Sequence, residues 1–498
     1  MASPDFVGSS FPSNTLSCTA KALPGAQCWL GNGPDDGCRA KDRLDYYIEL
    51  AKLAEKRKMT SIFFADSYGA NDVYAGNTDA PCQGGSQVAQ LDPVVLISAM
   101  AAVTKSLGFA ITANVVALTP FIMARTFSIL DHITNGRVGW NIVTGYTNSS
   151  ARAMGFDSIM PHDQRYEKAE EFADLVYRLW EGSWDDDAQV WDVERDTAYD
   201  PERIHKIDFE GKFHRLHAIQ QTHPSPQRVP LIFQAGASKA GIALAGAHAE
   251  GLYCGSIAPE TTNKYVQSIC ASAAASGRSP KDIKAFAGIS PFIGRTMEEA
   301  QAKYDRAWKH AGARAGLSRF GGYTSIDLSQ FPLDEPFEHD VSKPAANAVG
   351  GILKSFRVGD GTNAKWTPRK LGELMSCGGM YPQVVGTPEM VADFMEKWAA
   401  ESGIDGFNLY ASSSPGTIQD VVELLIPVLQ GRGLYWKDYP VPGGTLRENV
   451  HAKPGQRQVM EDHPAAKYRR ERLERRQAKD LEKLKLNSQG KVNGETSH

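Results

Sequence analysis

Residues 44–69, LDYYIELAKLAEKRKMTSIFFADSYG, hold the decision about the fold. From Asp45 to Lys56 apolar residues recur at helical spacing, and Ser61-Ile-Phe-Phe-Ala65 then forms a short apolar run ended by an acid, Asp66. A helix that delivers a buried strand is half of a βα repeat, and the same order returns along the chain. A second helix beginning near Asp92-Pro93 leads to Gly108–Asn114, and Arg137–Val143 and Val229–Ala235 continue the series. Fainter runs at Gly251–Cys254, Ile283–Ile289 and Gly406–Tyr410 bring the total to seven.

Seven parallel strands, with an eighth expected upstream, predict an α/β chain folded as a closed (β/α)8 TIM barrel rather than an open doubly wound sheet. The first strand falls to residues 1–43, which are rich in Gly, Pro, Ser and Cys; its candidate is Asp5-Phe-Val7. The expected organisation is an N-terminal segment over 1–43, a barrel over 44–447 and a charged tail over 448–498. An insertion at about 297–382, before the last strand, reads as a lid or pocket wall. Within the tail, residues 465–486 carry nine basic and four acidic side chains and read as a solvated, fraying helix rather than a nucleic-acid or membrane patch.

Composition narrows the class. A chain of 498 residues, 42% apolar and 22% charged, is neither disordered nor fibrous and has room for one large enzyme domain. Its 54 Lys and Arg against 58 Asp and Glu give no overall positive field, so nucleic acid is not an expected partner. Seven cysteines without a CxxC pair argue against a disulfide framework or a zinc ribbon, and no metal is expected. No basic, apolar leader and no run long enough to span a bilayer is present, so the expected location is the cytoplasm, away from membranes.

Barrel enzymes place their chemistry just after each strand. Asp66, Asn114, Asn141 and Thr144 all fall there. Each alone could cap a loop; together, on successive strands, they suit a polar heterocycle or a polyol. Pro161-His162-Asp163-Gln164-Arg165-Tyr166 precedes a long helix, with Asp163 as its expected N-cap and with His162 and Tyr166 four residues apart, both able to reach the barrel mouth. Gln234-Ala-Gly-Ala-Ser-Lys-Ala-Gly-Ile242 runs from a strand into an alanine-rich helix. The amides of Gly236 and Ala237, the helix dipole and the Ser238 hydroxyl would form an anion site there. No Rossmann or Walker glycine pattern and no GxSxG or HExxH is present, which disfavours a resident nicotinamide site.

These blocks resemble the flavin-dependent monooxygenases of the bacterial luciferase-like superfamily, in the nitrilotriacetate and dibenzothiophene-sulfone monooxygenase branch. The carriers are the opening stretch, ARTFSILDHITNGRVGWNIVTGYTNSSARAMGF (124–156), PHDQRYEKAEEF (161–172), LIFQAGASKAG (231–241), GTPEMVADF (386–394) and GIDGFNLY (403–410). The resemblance covers about Leu44 to Arg447 and implies a TIM barrel that binds FMN as FMNH2. It implies a flavin ring near Asp66, Asn114, Asn141 and Thr144, a ribityl or phosphate end at His162 and Tyr166, and a phosphate grip at Gly236, Ala237 and Ser238. The implied reaction inserts one atom of O2 into a small organic substrate through a flavin C4a-(hydro)peroxide, with FMNH2 supplied by a separate NAD(P)H:flavin reductase. His162, the group that titrates near neutral pH, is the candidate catalytic proton carrier. A homo-oligomer, dimer or tetramer, is implied as well. Two other readings stay open on the residues: a deazaflavin- or FMN-dependent hydride-transfer enzyme on the same barrel, and a catalytically inactive flavin-binding scaffold.

Overall fold

The computed structural model describes residues 17–22, 37–255, 258–336 and 366–494. The helical spacing read from the opening stretch becomes the helix Leu44–Lys56, which buries Tyr47, Leu50, Ala51 and Ala54 on one face. Its length ends where Lys58 turns with φ 62°, and the chain then enters the strand Ser61–Phe64, buried at every position. Burial on both faces is what a parallel strand covered by helices requires. Phe63 and Phe64 show the alternation: Phe63 points into the barrel lumen, while Phe64 packs under the surrounding helices.

Eight strands form the barrel: β1 (Ser17–Ala22), β2 (Ser61–Phe64), β3 (Gly108–Asn114), β4 (Val138–Val143), β5 (Leu231–Gln234), β6 (Gly251–Cys254), β7 (Lys284–Ile293) and β8 (Gly406–Tyr410). Each pairs in parallel with the next, and β8 returns to β1 with Ser17 opposite Gly406, so the sheet closes on itself. The expected first strand, Asp5–Val7, lies outside the described residues; the strand that closes the barrel is Ser17-Cys-Thr-Ala-Lys-Ala22 instead. Only one of its residues is β-branched, so it is positioned by partners on both sides and not by its own propensity.

Other elements had no counterpart in the sequence reading. Two antiparallel hairpins, Gln189–Asp192 with Thr197–Tyr199 and Ile207–Glu210 with Arg215–Ala218, fill the connection before β5. A short strand, Gln383–Gly386, extends the sheet beside the far half of β7. Within the insertion, helices Ala313–Thr324 and Pro368–Cys377 cross backbone to backbone at Gly316 and Gly372, where a Cβ on Gly316 would meet the Gly372 carbonyl at 1.7 Å.

The lumen is filled by Phe63, Ala110, Leu231, Phe233, Tyr253 and Phe286, and its base is sealed by Leu446 and Val450 of the helix Leu446–His451. That helix begins in a full capping box between Thr445 and Glu448 and crosses the boundary expected between 447 and 448. The helix Ala466–Gly494 is not solvated throughout, as was expected. Ala466, Tyr468 and Arg472 are buried, Arg472 donating to Asp186 at 3.1 Å, and Arg476 pairs with Asp187 at 2.6 Å. Arg472 and Arg476 thus answer acids on the barrel body, which a count of charges along the chain cannot show. No helix among the described residues is long and apolar enough to cross a membrane.

Candidate active site

At the C-terminal ends of the strands lies a cavity of about 360 Å³. Asp66 follows β2, Thr112 and Asn114 end β3, Asn141 and Val143 belong to β4, Ala235 follows β5, Tyr253 is on β6 and Asn408 on β8. Arg319, Tyr323, Met380 and Tyr381, all from the insertion, complete the wall. Three of the residues singled out from sequence, Asp66, Asn114 and Asn141, therefore share one cavity.

Asn141 is 4% exposed and donates Nδ2 to Thr112 Oγ1 at 3.0 Å, while its Oδ1 is buried with no partner among the described residues. An orphaned buried acceptor costs about 1–3 kcal/mol unless a ligand satisfies it. Asn114 is partly used at home: its Oδ1 accepts the Val116 amide at 2.9 Å in an Asx turn, and its Nδ2 lies against Gly145. Burial pushes the Asp66 carboxyl up to about 6; the Ser67 amide opposes that shift and the nearby Asp92 adds to it. Burial likewise raises the Tyr68 hydroxyl, with Asp66 and Asp92 reinforcing it.

A second group adjoins the first. Thr144 lines a neighbouring cavity of about 220 Å³ that shares Asn114, Gly145, Thr147 and Ser150 with the larger one and reaches Pro161. The next residue, His162, opens the helix His162–Tyr177, so the expected N-cap, Asp163, sits inside the first turn and instead accepts from the His162 ring at 2.8 Å. The side chain of His162 is 47% exposed, and the residue is not among those lining either cavity. Its ring centroid is 5.0 Å from that of Tyr166, whose hydroxyl is 3.5 Å from Ser238 Oγ. Ser238 caps the helix Lys239–His248 through the Gly241 amide at 3.1 Å. The Gly236 amide is already engaged, donating to Gln234 Oε1 at 2.7 Å, and Tyr265 donates to the Gly236 carbonyl. A Cβ at 236 would press on Gln234 Nε2 at 2.5 Å and on the Tyr166 hydroxyl at 3.1 Å, so a larger residue there would displace the Gln234 side chain beneath Tyr166. Ala237 is exposed at the tip of this turn. Because Ala235 lines the larger cavity and Gly236 belongs to the Tyr166 group, the two groups are contiguous.

Arg319 and the tyrosines at 68, 253, 323 and 381 escaped the sequence reading. Arg319 had a signal: it sits in Ala315-Gly-Leu-Ser-Arg-Phe-Gly-Gly322, a run of small and apolar residues buried at every position. A cation inside such a run is either paired or functional.

Residues 22–406 match the family described as Luciferase-like monooxygenase. The chain is 36% identical to a dimethyl-sulfide monooxygenase of Hyphomicrobium sulfonivorans, over 92% of this chain and 93% of that one. It is 39% identical to a long-chain alkane monooxygenase of Geobacillus thermodenitrificans, over 86% and 91% respectively. A crystal structure of riboflavin lyase with modified FMN and riboflavin superposes with a TM-score of 0.80 at 31% identity, covering 91% of this chain and 99% of that one. The chain belongs to the luciferase-like monooxygenase family. Its homologues are two-component enzymes that use O2 and FMN reduced by a separate reductase, and the chain is a flavin-dependent monooxygenase of that family.

Proposed function

We propose that Asp66, Asn114 and Asn141 hold the ring of reduced FMN, that Thr144 flanks it, and that Tyr166, Ser238 and the Gly236–Ala237 turn hold its phosphate. The observation that carries this reading is the buried Oδ1 of Asn141, without a partner among the described residues, in a cavity walled by successive strand ends. When bound, reduced FMN supplies the electrons that activate O2. The chain's own residues do the rest. Asn141 satisfies a donor on the ring edge. Asp66, which keeps its proton up to about pH 6, donates a hydrogen bond below that pH and accepts one above it. Tyr323, Met380 and Tyr381 of the insertion wall the cavity and exclude water, which protects a reactive oxygen species from side reactions. His162 stands outside the cavity lining, so its part is to position Tyr166 and the phosphate end instead of carrying the reacting proton.

The substrate is a small organic molecule and the partner a flavin reductase. A cytoplasmic homo-oligomer, dimer or tetramer, fits two further features. Cys82, Cys254 and Cys270 are thiols outside any disulfide, as a reducing compartment maintains. Ile122, Ile129 and Ile133 form an exposed apolar row on the helix Pro120–Ile133.

The test combines FMN titration by fluorescence quenching with isotope tracing. The protein, FMN, NADH and a generic flavin reductase are supplied with ¹⁸O2 and a panel of sulfones, amines and ketones. One labelled oxygen atom per product molecule is expected. Saturable FMN binding with product formed under nitrogen at the same rate would instead indicate hydride transfer, and would overturn the proposal.

A further inference from the structure

The insertion holds a cation above the cavity that the flavin reading leaves unassigned. Arg319 is 2% exposed and lines the cavity from the helix Ala313–Thr324. Its Nη1 donates to the Tyr410 hydroxyl at 2.9 Å and to the Met375 carbonyl at 3.3 Å, and its Nε donates to the Tyr323 hydroxyl at 3.2 Å. The Tyr410 and Tyr323 rings lie 5.1 and 5.5 Å from the guanidinium carbon. The other strong influences on it come from tyrosines, and among the described residues no carboxylate pairs with it.

The remaining buried arginines differ. Arg447 is paired with Glu250, Arg228 and Arg472 with Asp186, and Arg469 with Glu461; Arg137 is surrounded by backbone carbonyls and a threonine hydroxyl, and Arg278 donates to the carbonyls of Gly246 and Ala249. Arg319 alone among these faces a cavity, and its Nη2 has no protein acceptor among the described residues. A guanidinium stays protonated at every physiological pH, so its burial is unfavourable until an anion completes its hydrogen bonds. Its planar fork suits the two oxygens of a carboxylate or a sulfonate. The surfaces beside it are aromatic or soft: Tyr68, Tyr253, Tyr323, Tyr381 and Met380.

We infer that Arg319 receives the oxyanion of the substrate, so that the enzyme acts on organic acids, carboxylates or sulfonates, carrying an apolar or aromatic body. The inference rests on the placement of FMN at the strand ends, which leaves the insertion side of the cavity to the substrate. The phosphate end of FMN has its own cluster at Tyr166 and Ser238, and neither residue lines this cavity.

The test is a binding comparison by titration calorimetry, with and without FMN, using 2-naphthoate, 2-naphthalenesulfonate and the neutral 2-naphthamide. Wild-type protein should prefer the two anions over the amide by about tenfold or more. R319M should erase that preference, R319K should retain part of it, and FMN affinity should be equal in all three. No anion preference in the wild type, or a preference that survives in R319M, overturns the assignment. A parallel loss of FMN affinity in R319M also overturns it and assigns Arg319 to the cofactor. Should circular dichroism show R319M unfolded, R319K and wild type decide the question. Failure of the wild type to bind FMN would defeat the flavin placement separately, because the naphthoate comparison is also read in flavin-free protein.

Discussion

The two ends of the barrel treat buried polar groups in opposite ways. At the base, Arg447 is fully buried and places donors on both Glu250 oxygens, on the carbonyls of Val229 and Pro230, and on that of Arg457. Asp131 is equally buried and accepts from the Gln227 amide and side chain. At the mouth, among the described residues, Asn141 Oδ1 has no partner and no carboxylate pairs with Arg319, and Asp66 holds its proton up to about 6. A satisfied buried network stabilises a fold, whereas an unsatisfied one is tolerated where a ligand completes it. The Arg447–Glu250 and Asp131–Gln227 clusters are built for stability, and the mouth for binding.

That contrast can be broken from either end. The largest effect belongs to the base: E250Q strands Arg447 and should lower the unfolding free energy by about 3–5 kcal/mol, read from urea melts. A loss under about 1 kcal/mol would erase the distinction. Next comes Asp66. Its proton is released near 4 in the unfolded chain and near 6 in the folded one, so the native state binds the extra proton and its stability falls as pH rises between those values. D66N should therefore gain on the wild type by up to about 3 kcal/mol across that window in parallel pH-dependent melts. N141A should weaken FMN affinity by about tenfold, or about 1.4 kcal/mol, while changing the melting midpoint little. The smallest effect is at Ser238: S238A loses a helix cap, about 1 kcal/mol, together with a severalfold loss of FMN affinity. Equal FMN affinity in that variant would move the phosphate site elsewhere.

How much of this was legible follows from which forces acted locally. β2, β3 and β4 were readable because continuous apolar runs bounded by polar ends have few other solutions. β1 was not, since Ser17-Cys-Thr-Ala-Lys-Ala22 is a strand only because β2 and β8 hold it on both sides. At the site, Asp66, Asn114 and Asn141 could be picked out because strand ends in a barrel converge on one mouth. His162 was assigned by type, an imidazole near a mouth, yet its half-exposed position depends on where its helix starts. Arg319 needed the packing of two helices through Gly316 and Gly372, a contact between residues far apart in sequence. The tail was misread for the same reason, since the partner of Arg472 is Asp186.

The helix Leu446–His451 has a consequence for traffic. With Leu446 and Val450 stoppering the lumen from below, the barrel is a cup and not a tube. A ligand of the strand-end cavity is therefore reached from above and not through the floor of the barrel. On the proposed flavin placement, Tyr323, Met380 and Tyr381 of the insertion stand over the cofactor's way out, so a change in that wall alters flavin release as well as reactant entry.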